Sequence, residues 1–148
     1  MKNTAIILIA SLLIIGIQSC NKIHKDTGVI TEEPRIRGCL PVLESVEWII
    51  RTQAEYEALA SGSGTLCVDD SFPAIDFDNY TLLGRYASGD CKAKFFRQVL
   101  RDDQAKTMTF NILVKDRGSC KKLVYSWNWV LVPKFPADYT VLFNVETK

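Results

Sequence analysis

Histidine is nearly missing from this chain of 148 residues: one stands at His24 and none follows it. Hydrolysis by serine or cysteine normally needs a base beside the nucleophile, so the bulk of the sequence has no ordinary route to that chemistry. A run of the ~20 apolar residues that a membrane-crossing helix requires is also lacking. The five cysteines contain no C-x2-C pair, and this argues against a four-thiolate zinc site. Charge of either sign is scarce in excess: 18 basic residues face 17 acidic ones. Such a balance offers no electrostatic case for nucleic acid or an anionic lipid surface as a partner. Ser61-Gly62-Ser63-Gly64-Thr65 lacks the lysine and following helix of a phosphate-cradling loop and reads as a turn. Asp76, Asp78 and Asn79 follow no twelve-residue calcium-loop pattern and read as solvated turn carboxylates. No cofactor or metal is implied.

What the chain does have begins at its amino end. Lys2 precedes an apolar run from Ala5 to Ile17, broken only by Ser11, which is the make-up of an export signal. The run closes on Ile17-Gln18-Ser19-Cys20 and is followed by polar Asn21-Lys22. This segment resembles the lipobox of bacterial lipoproteins, in which the cysteine is linked to diacylglycerol, the leader is cut just before it, and the new amino end is acylated with a fatty chain such as palmitate. The family usually has a small residue at the place of Gln18 and a leucine at that of Ile17. The resemblance implies a leader over 1–19, lipidation of Cys20, and a home in the cell envelope. Asn21 is not the aspartate that retains such proteins at the inner membrane, so the implied address is the outer membrane, facing the periplasm or the outside. Two or more acyl chains make release from a membrane negligible.

Loss of the leader removes Lys2 and leaves a formally neutral chain, long enough for one domain with a core. Residues 20–35 are polar, with Gly28 and Pro34, and read as the lipidated cysteine and a flexible stalk carrying the domain roughly 20 Å from its anchor. The globular part is expected over 36–148. Four cysteines remain there, Cys39, Cys67, Cys91 and Cys120, an even set that in an exported chain points to two disulfides.

The fold class expected is mainly β with one short helix: an antiparallel sheet, sandwich or partly open barrel. Val46, Trp48 and Ile50 alternate as one apolar strand face. Thr52-Gln53-Ala54-Glu55 has the capping-box form, opening a helix near residues 53–60 with Tyr56, Leu59 and Ala60 inward and Gly62 placed to end it. Further strand faces are Tyr80/Leu82/Gly84/Tyr86, Met108/Phe110/Ile112/Val114, Leu123/Tyr125/Trp127/Trp129/Leu131 and Tyr139/Val141/Phe143/Val145. Turns at Asp102–Ala105 and Asp116–Ser119 predict an antiparallel meander of 92–101, 106–115 and 121–132. That meander would bring Cys91 and Cys120 together beside Lys115 and leave Cys39 to pair with Cys67.

The order Ile50-Arg51-Thr52-Gln53-Ala54-Glu55-Tyr56-Glu57, then Pro73-Ala74-Ile75-Asp76-Phe77, then Tyr80-Thr81-Leu82-Leu83-Gly84, resembles the C-terminal domain family named after the protease complex subunit PrcB. The likeness covers roughly residues 46–146. Members often carry Thr-Gly-Gly-Tyr where this chain has Ser88-Gly89-Asp90-Cys91. The resemblance implies a mostly β domain that binds another envelope protein and supplies no catalytic residues.

The functional expectation is therefore a non-enzymatic, membrane-anchored envelope lipoprotein with a binding or accessory domain. Its alternatives are a protease inhibitor or accessory subunit and a carboxylate-dependent hydrolase. Candidate contact residues are Lys92, Lys94, Arg97 and Arg101, joined by Lys121 and Lys122 if the meander forms; the competing reading is that these charges keep edge strands from pairing. Tyr125, Trp127 and Trp129 could stack a sugar or an aromatic ligand, although their period of two also suits a core.

Overall fold

The computed structural model describes residues 26–37, 47–62, 72–116 and 122–148. Among the described residues seven strands and one helix follow in chain order: β1 (Thr27–Gly28), β2 (Glu47–Ile50), α1 (Gln53–Gly62), β3 (Tyr80–Asp90), β4 (Lys94–Asp102), β5 (Thr107–Lys115), β6 (Leu123–Pro133) and β7 (Thr140–Thr147). They form two sheets, ordered β1-β4-β5-β7 and β2-β3-β6. Among the described residues neither sheet closes into a barrel.

The sheets pack face to face. Val99, Met108, Phe110, Ile112 and Val114 of the four-stranded sheet meet Leu83, Ala87, Val130 and Val132 of the three-stranded one in the larger core. On its opposite face the three-stranded sheet sends Leu82, Trp129 and Leu131 into a second core, closed by Tyr56 and Leu59 of α1 with Ile36 and Phe77. The β2-β3-β6 sheet is thus the middle layer of three. This placement explains why β3 and the Asn128–Val132 half of β6 are buried nearly without interruption while β5 alternates.

Helix α1 begins as the capping box requires. Glu55 N–H donates to Thr52 Oγ1 at 3.2 Å, and Glu55 Oε2 accepts from the N–H groups of Thr52 (3.1 Å) and Arg51 (2.7 Å). Tyr56 and Leu59 face inward as expected and Ala60 is half-buried.

The meander forms only in its first half. β4 and β5 make the expected hairpin, whose turn is held by Asp102 Oδ1 accepting from the N–H groups of Gln104 (2.9 Å) and Ala105 (2.8 Å). Beyond it, β6 does not pair with β5 but crosses to the other sheet and lies antiparallel to β3 over their full lengths. The reason lies in its sequence: Trp127-Asn128-Trp129-Val130-Leu131-Val132 is too apolar on both faces for an outer layer. Because the chain returns from that sheet, β7 lies beside β5 in parallel, Thr107 opposite Thr140. The expectation of purely antiparallel pairing fails here, and again where β1 pairs with β4 in parallel.

The expected stalk is corrected over its second half. Residues 26–37 form a strap across the open side of the sandwich: Thr27 and Gly28 pair with Gln98 and Val99 of β4, and Glu32 bridges Leu131 of β6. Val29 and Ile30 pack on the larger core, and Ile36 is buried in the second. Three apolar side chains dispersed among polar neighbours were enough to anchor a stretch whose average composition reads as linker.

Candidate functional site

The strap and β6, the outermost strand of its sheet, enclose a groove of about 280 Å³, lined by Glu33, Pro34, Arg35, Ile36, Arg37, Arg97, Trp127 and Trp129. The strap's backbone positions its polar wall, because Thr31 N–H donates to Leu131 O and Leu131 N–H to Glu32 O, each at 2.8 Å. The aromatic wall comes from the alternation of β6. Trp127 and Trp129 project from the same face and stack at 5.5 Å between ring centroids. Trp129 is 3% exposed, and its Nε1 finds no acceptor among the described residues; Trp127 is half-buried. The aromatic row continues outward through Tyr86, 5.4 Å from Trp127, to Tyr125, stacked on Tyr86 and 53% exposed. One period-two set therefore spans from core to solvent, with Trp127 at the changeover.

Arg97 organises the groove's charged end. Its Nη1 donates to Glu33 Oε2 at 2.7 Å and lies 3.3 Å from Asp26 Oδ2; its Nε donates to Asn128 Oδ1 at 3.1 Å. The Arg97 backbone N–H also donates to Asp26 Oδ1. Two carboxyl groups thus share one guanidinium. The hydrogen bond that the protonated Glu33 carboxyl donates to Asp26, together with partial burial, pushes Glu33 up to about 7 against the opposing pull of Arg97.

The other candidate contact residues do not assemble into one basic surface. Register places Lys94 on the outer face of β4, opposite Lys115, whereas Arg97 and Arg101 project from the face that looks toward the larger core. Lys92 is exposed at the β3–β4 turn. Arg101 is consumed locally: its Nε donates to Asp103 Oδ1 at 2.6 Å, and its guanidinium lies 5.4 Å from the Tyr139 ring centroid. Lys121 lies outside the described residues, as do Cys20, Cys39, Cys67 and Cys120. Asp76 spends its carboxylate within its own turn, accepting from Asp78 N–H (3.0 Å) and Asn79 Nδ2 (2.8 Å), contacts that hold it below the usual carboxylate range. Among the described residues no group of three or more His, Cys, Asp or Glu is arranged to hold a metal ion.

No family model matches the chain, and no curated protein or solved structure compared with it matches either.

Reading residues 20–35 as a stalk hid three of the eight residues that line this groove, Glu33, Pro34 and Arg35. The signal for them was the apolar triple Val29, Ile30 and Ile36, which a linker does not need. Asn128 was legible only as a spacer between two tryptophans, yet it is wholly buried and fixes Arg97.

Proposed function

We propose that this protein is a lipid-anchored envelope protein whose β domain is a non-catalytic binding module, with its ligand seated in the groove between the strap and β6. The observation that carries the reading is the pairing, in one groove, of the accessible Trp127 ring with the exposed Arg35 and Arg37, while Arg97 holds the groove's own carboxyl groups. An indole face offers a flat apolar platform, and guanidinium groups recognise carboxylates through paired hydrogen bonds. The ligand class that uses both is an acidic saccharide, stacked on Trp127 with its carboxylate toward the arginines.

The tether rests on Cys20 and its preceding residues. With the strap docked on the domain, only residues 21–25 separate the anchor from the fold, so the groove works close to the membrane surface. The two disulfides belong to the same proposal. Cys91 N–H donates to Lys122 O at 2.7 Å, continuing the β3–β6 ladder past Asp90 and Leu123. Cys120 is two residues from that point, which supports its bond to Cys91 by a route other than the meander; Cys39 with Cys67 follows by elimination.

The Glu33 carboxyl near 7 favours a second reading, acid–base hydrolysis by the Asp26–Glu33 pair. Glycoside chemistry wants its carboxyl groups ~5 Å or more apart around the scissile bond. Here both carboxyl groups are held by the one Arg97 guanidinium, whose Nη1 is 2.7 Å from Glu33 Oε2 and 3.3 Å from Asp26 Oδ2, so binding is the better account.

Titrating the protein with acidic and neutral oligosaccharides while following tryptophan fluorescence tests the module. Saturable change with the acidic series, lost in Trp127→Ala and in Arg35→Ala/Arg37→Ala, is expected; equal response to the neutral series, or release of reducing sugar, overturns it. Fractionating cells that express Cys20→Ser tests the tether, which predicts that the variant leaves the membrane fraction.

A further inference from the structure

We infer that the free edge of β7 is the contact surface for a second copy of this chain, the two strands pairing antiparallel about a two-fold axis at Asn144. β7 is the last strand of its sheet, and its eight residues, Thr-Val-Leu-Phe-Asn-Val-Glu-Thr, contain no lysine or proline to discourage pairing. Two of its apolar side chains stand well out of the fold, Leu142 at 46% and Val145 at 40% exposure, one on each face of the sheet.

The backbone selects the partner and the register. At one end of β7 Thr140 N–H donates to Lys106 O, and just past the other Lys148 N–H donates to Val114 O and Asp116 N–H to Lys148 O. In the evenly spaced parallel ladder between those points, the even-numbered residues turn both backbone groups toward β5. Val141, Phe143, Val145 and Thr147 turn theirs to the free edge, where no described strand receives them. Antiparallel pairing centred on Asn144 sets Val141 against Thr147 of the second copy and Phe143 against Val145, and the reverse. All four outward residues are satisfied in each copy. A centre at Phe143 leaves Thr147 opposite Tyr139, outside the strand.

The same register continues a row of polar side chains on the outer face. Thr27, Gln98, Asn111 and Asn144 are neighbours across all four strands, and their side chains are linked in series: Gln98 Nε2 to Thr27 Oγ1 (3.2 Å), Asn111 Nδ2 to Gln98 Oε1 (3.3 Å), Asn144 Nδ2 to Asn111 Oδ1 (2.9 Å). The row ends at Asn144, whose amide oxygen and second N–H meet their complements in the same amide of another copy. Asn144 opposite Asn144 falls at a non-hydrogen-bonded pair, where side chains are closest. No like charges are opposed: Glu146 faces Leu142, and Lys148 faces Thr140. The occupant is thus a copy of the same strand, joining two four-stranded sheets into one of eight.

Sedimentation of the full chain in detergent, with oxidative cross-linking, decides the matter. The parent protein is expected to sediment as a dimer at micromolar concentration. Asn144→Cys is expected to form a disulfide to itself, recovered as the tryptic peptide 135–148 joined to a second copy, whereas Leu142→Cys does not, because it faces Glu146. Val145→Pro removes one outward N–H while leaving the β5 ladder intact, and is expected to give a monomer whose thermal midpoint equals that of the parent diluted below its dimerisation range and no longer rises with protein concentration. A monomeric parent, a dimer that survives Val145→Pro, or self-linkage at 142 in place of 144 would overturn the proposal. So would the finding that the edge takes only a strand from another protein.

Discussion

Arg97 of β4 and Asn128 of β6 join the two sheets through one hydrogen bond, Nε to Oδ1 at 3.1 Å. Asn128 is wholly buried, and its Nδ2 is taken by Arg85 O (3.3 Å) and Ser126 O (3.1 Å), so Arg97 is the partner of its oxygen. Arg97→Ala leaves that oxygen buried and unpaired and the Asp26–Glu33 pair without its cation. A loss of about 2–3 kcal/mol in urea unfolding is expected, from the cost of an unsatisfied buried acceptor. Lysine at 97 should recover little of it, because an ammonium cannot reach three acceptors from one fixed fork.

The strap should respond to pH through Glu33. Its folded carboxyl titrates at about 7 and its unfolded one near 4.5, so between those values the folded state holds the extra proton. Stability therefore falls as pH rises through that window. The contribution is complete below 4.5 and gone above 7. Denaturation of the parent and Glu33→Gln at pH 5 and pH 8 checks this: the variant should lose less stability than the parent between the two values. A variant that loses more would reverse the assigned sign.

Gly84 exists to admit a tryptophan. A Cβ placed on it would stand 2.0 Å from Trp129 Cζ3, across the paired strands β3 and β6. The Gly84→Ala change should cost roughly 1–3 kcal/mol, the usual range for overpacking a filled core. Trp129→Ala should cost about 3–5 kcal/mol by opening a cavity. Because the first defect is a clash with the very ring that the second removes, the double variant should be clearly more stable than the sum predicts. Simple additivity in guanidinium melts would contradict the contact.

The strands and helix were readable because their signals are local. The capping box at Thr52–Glu55 and the inward set Met108, Phe110, Ile112 and Val114 depend only on neighbours a few residues apart. Partnership between strands was less legible. Periodicity shows that Leu123 to Leu131 has an apolar face, but not that the alternate residues Val130 and Val132 face a second core, which is what moves β6 into the middle layer. The strap was missed for a related reason: its polar residues are those of a linker, and Arg97, Asp26 and Glu33 meet only once β4 and β6 are already in place. A search for one basic surface failed because alternation separates Lys94 from Arg97 and Arg101.

The final prediction separates the middle of the outer sheet from its rim. Phe110 of β5 is fully buried, flanked in register by Val99 on one side and Phe143 on the other, with the two rings 5.9 Å apart. Phe110→Ala empties space between two sheets that are fixed by their own ladders and cannot close over it, so a loss of about 3–5 kcal/mol is expected. Phe143 belongs to the terminal strand and is only half-buried. Its ring shields Phe110 from one side while water already reaches the other, so Phe143→Ala should cost less than half as much in the same measurement. If β7 gains a neighbour on its open side, that difference should shrink as protein concentration rises, because Phe143 then stands between two strands as Phe110 does. Unfolding midpoints taken at low and high micromolar concentration read the change directly: a constant gap between the two variants would mean that β7 remains a rim, and a narrowing gap would mean that it has become an interior strand.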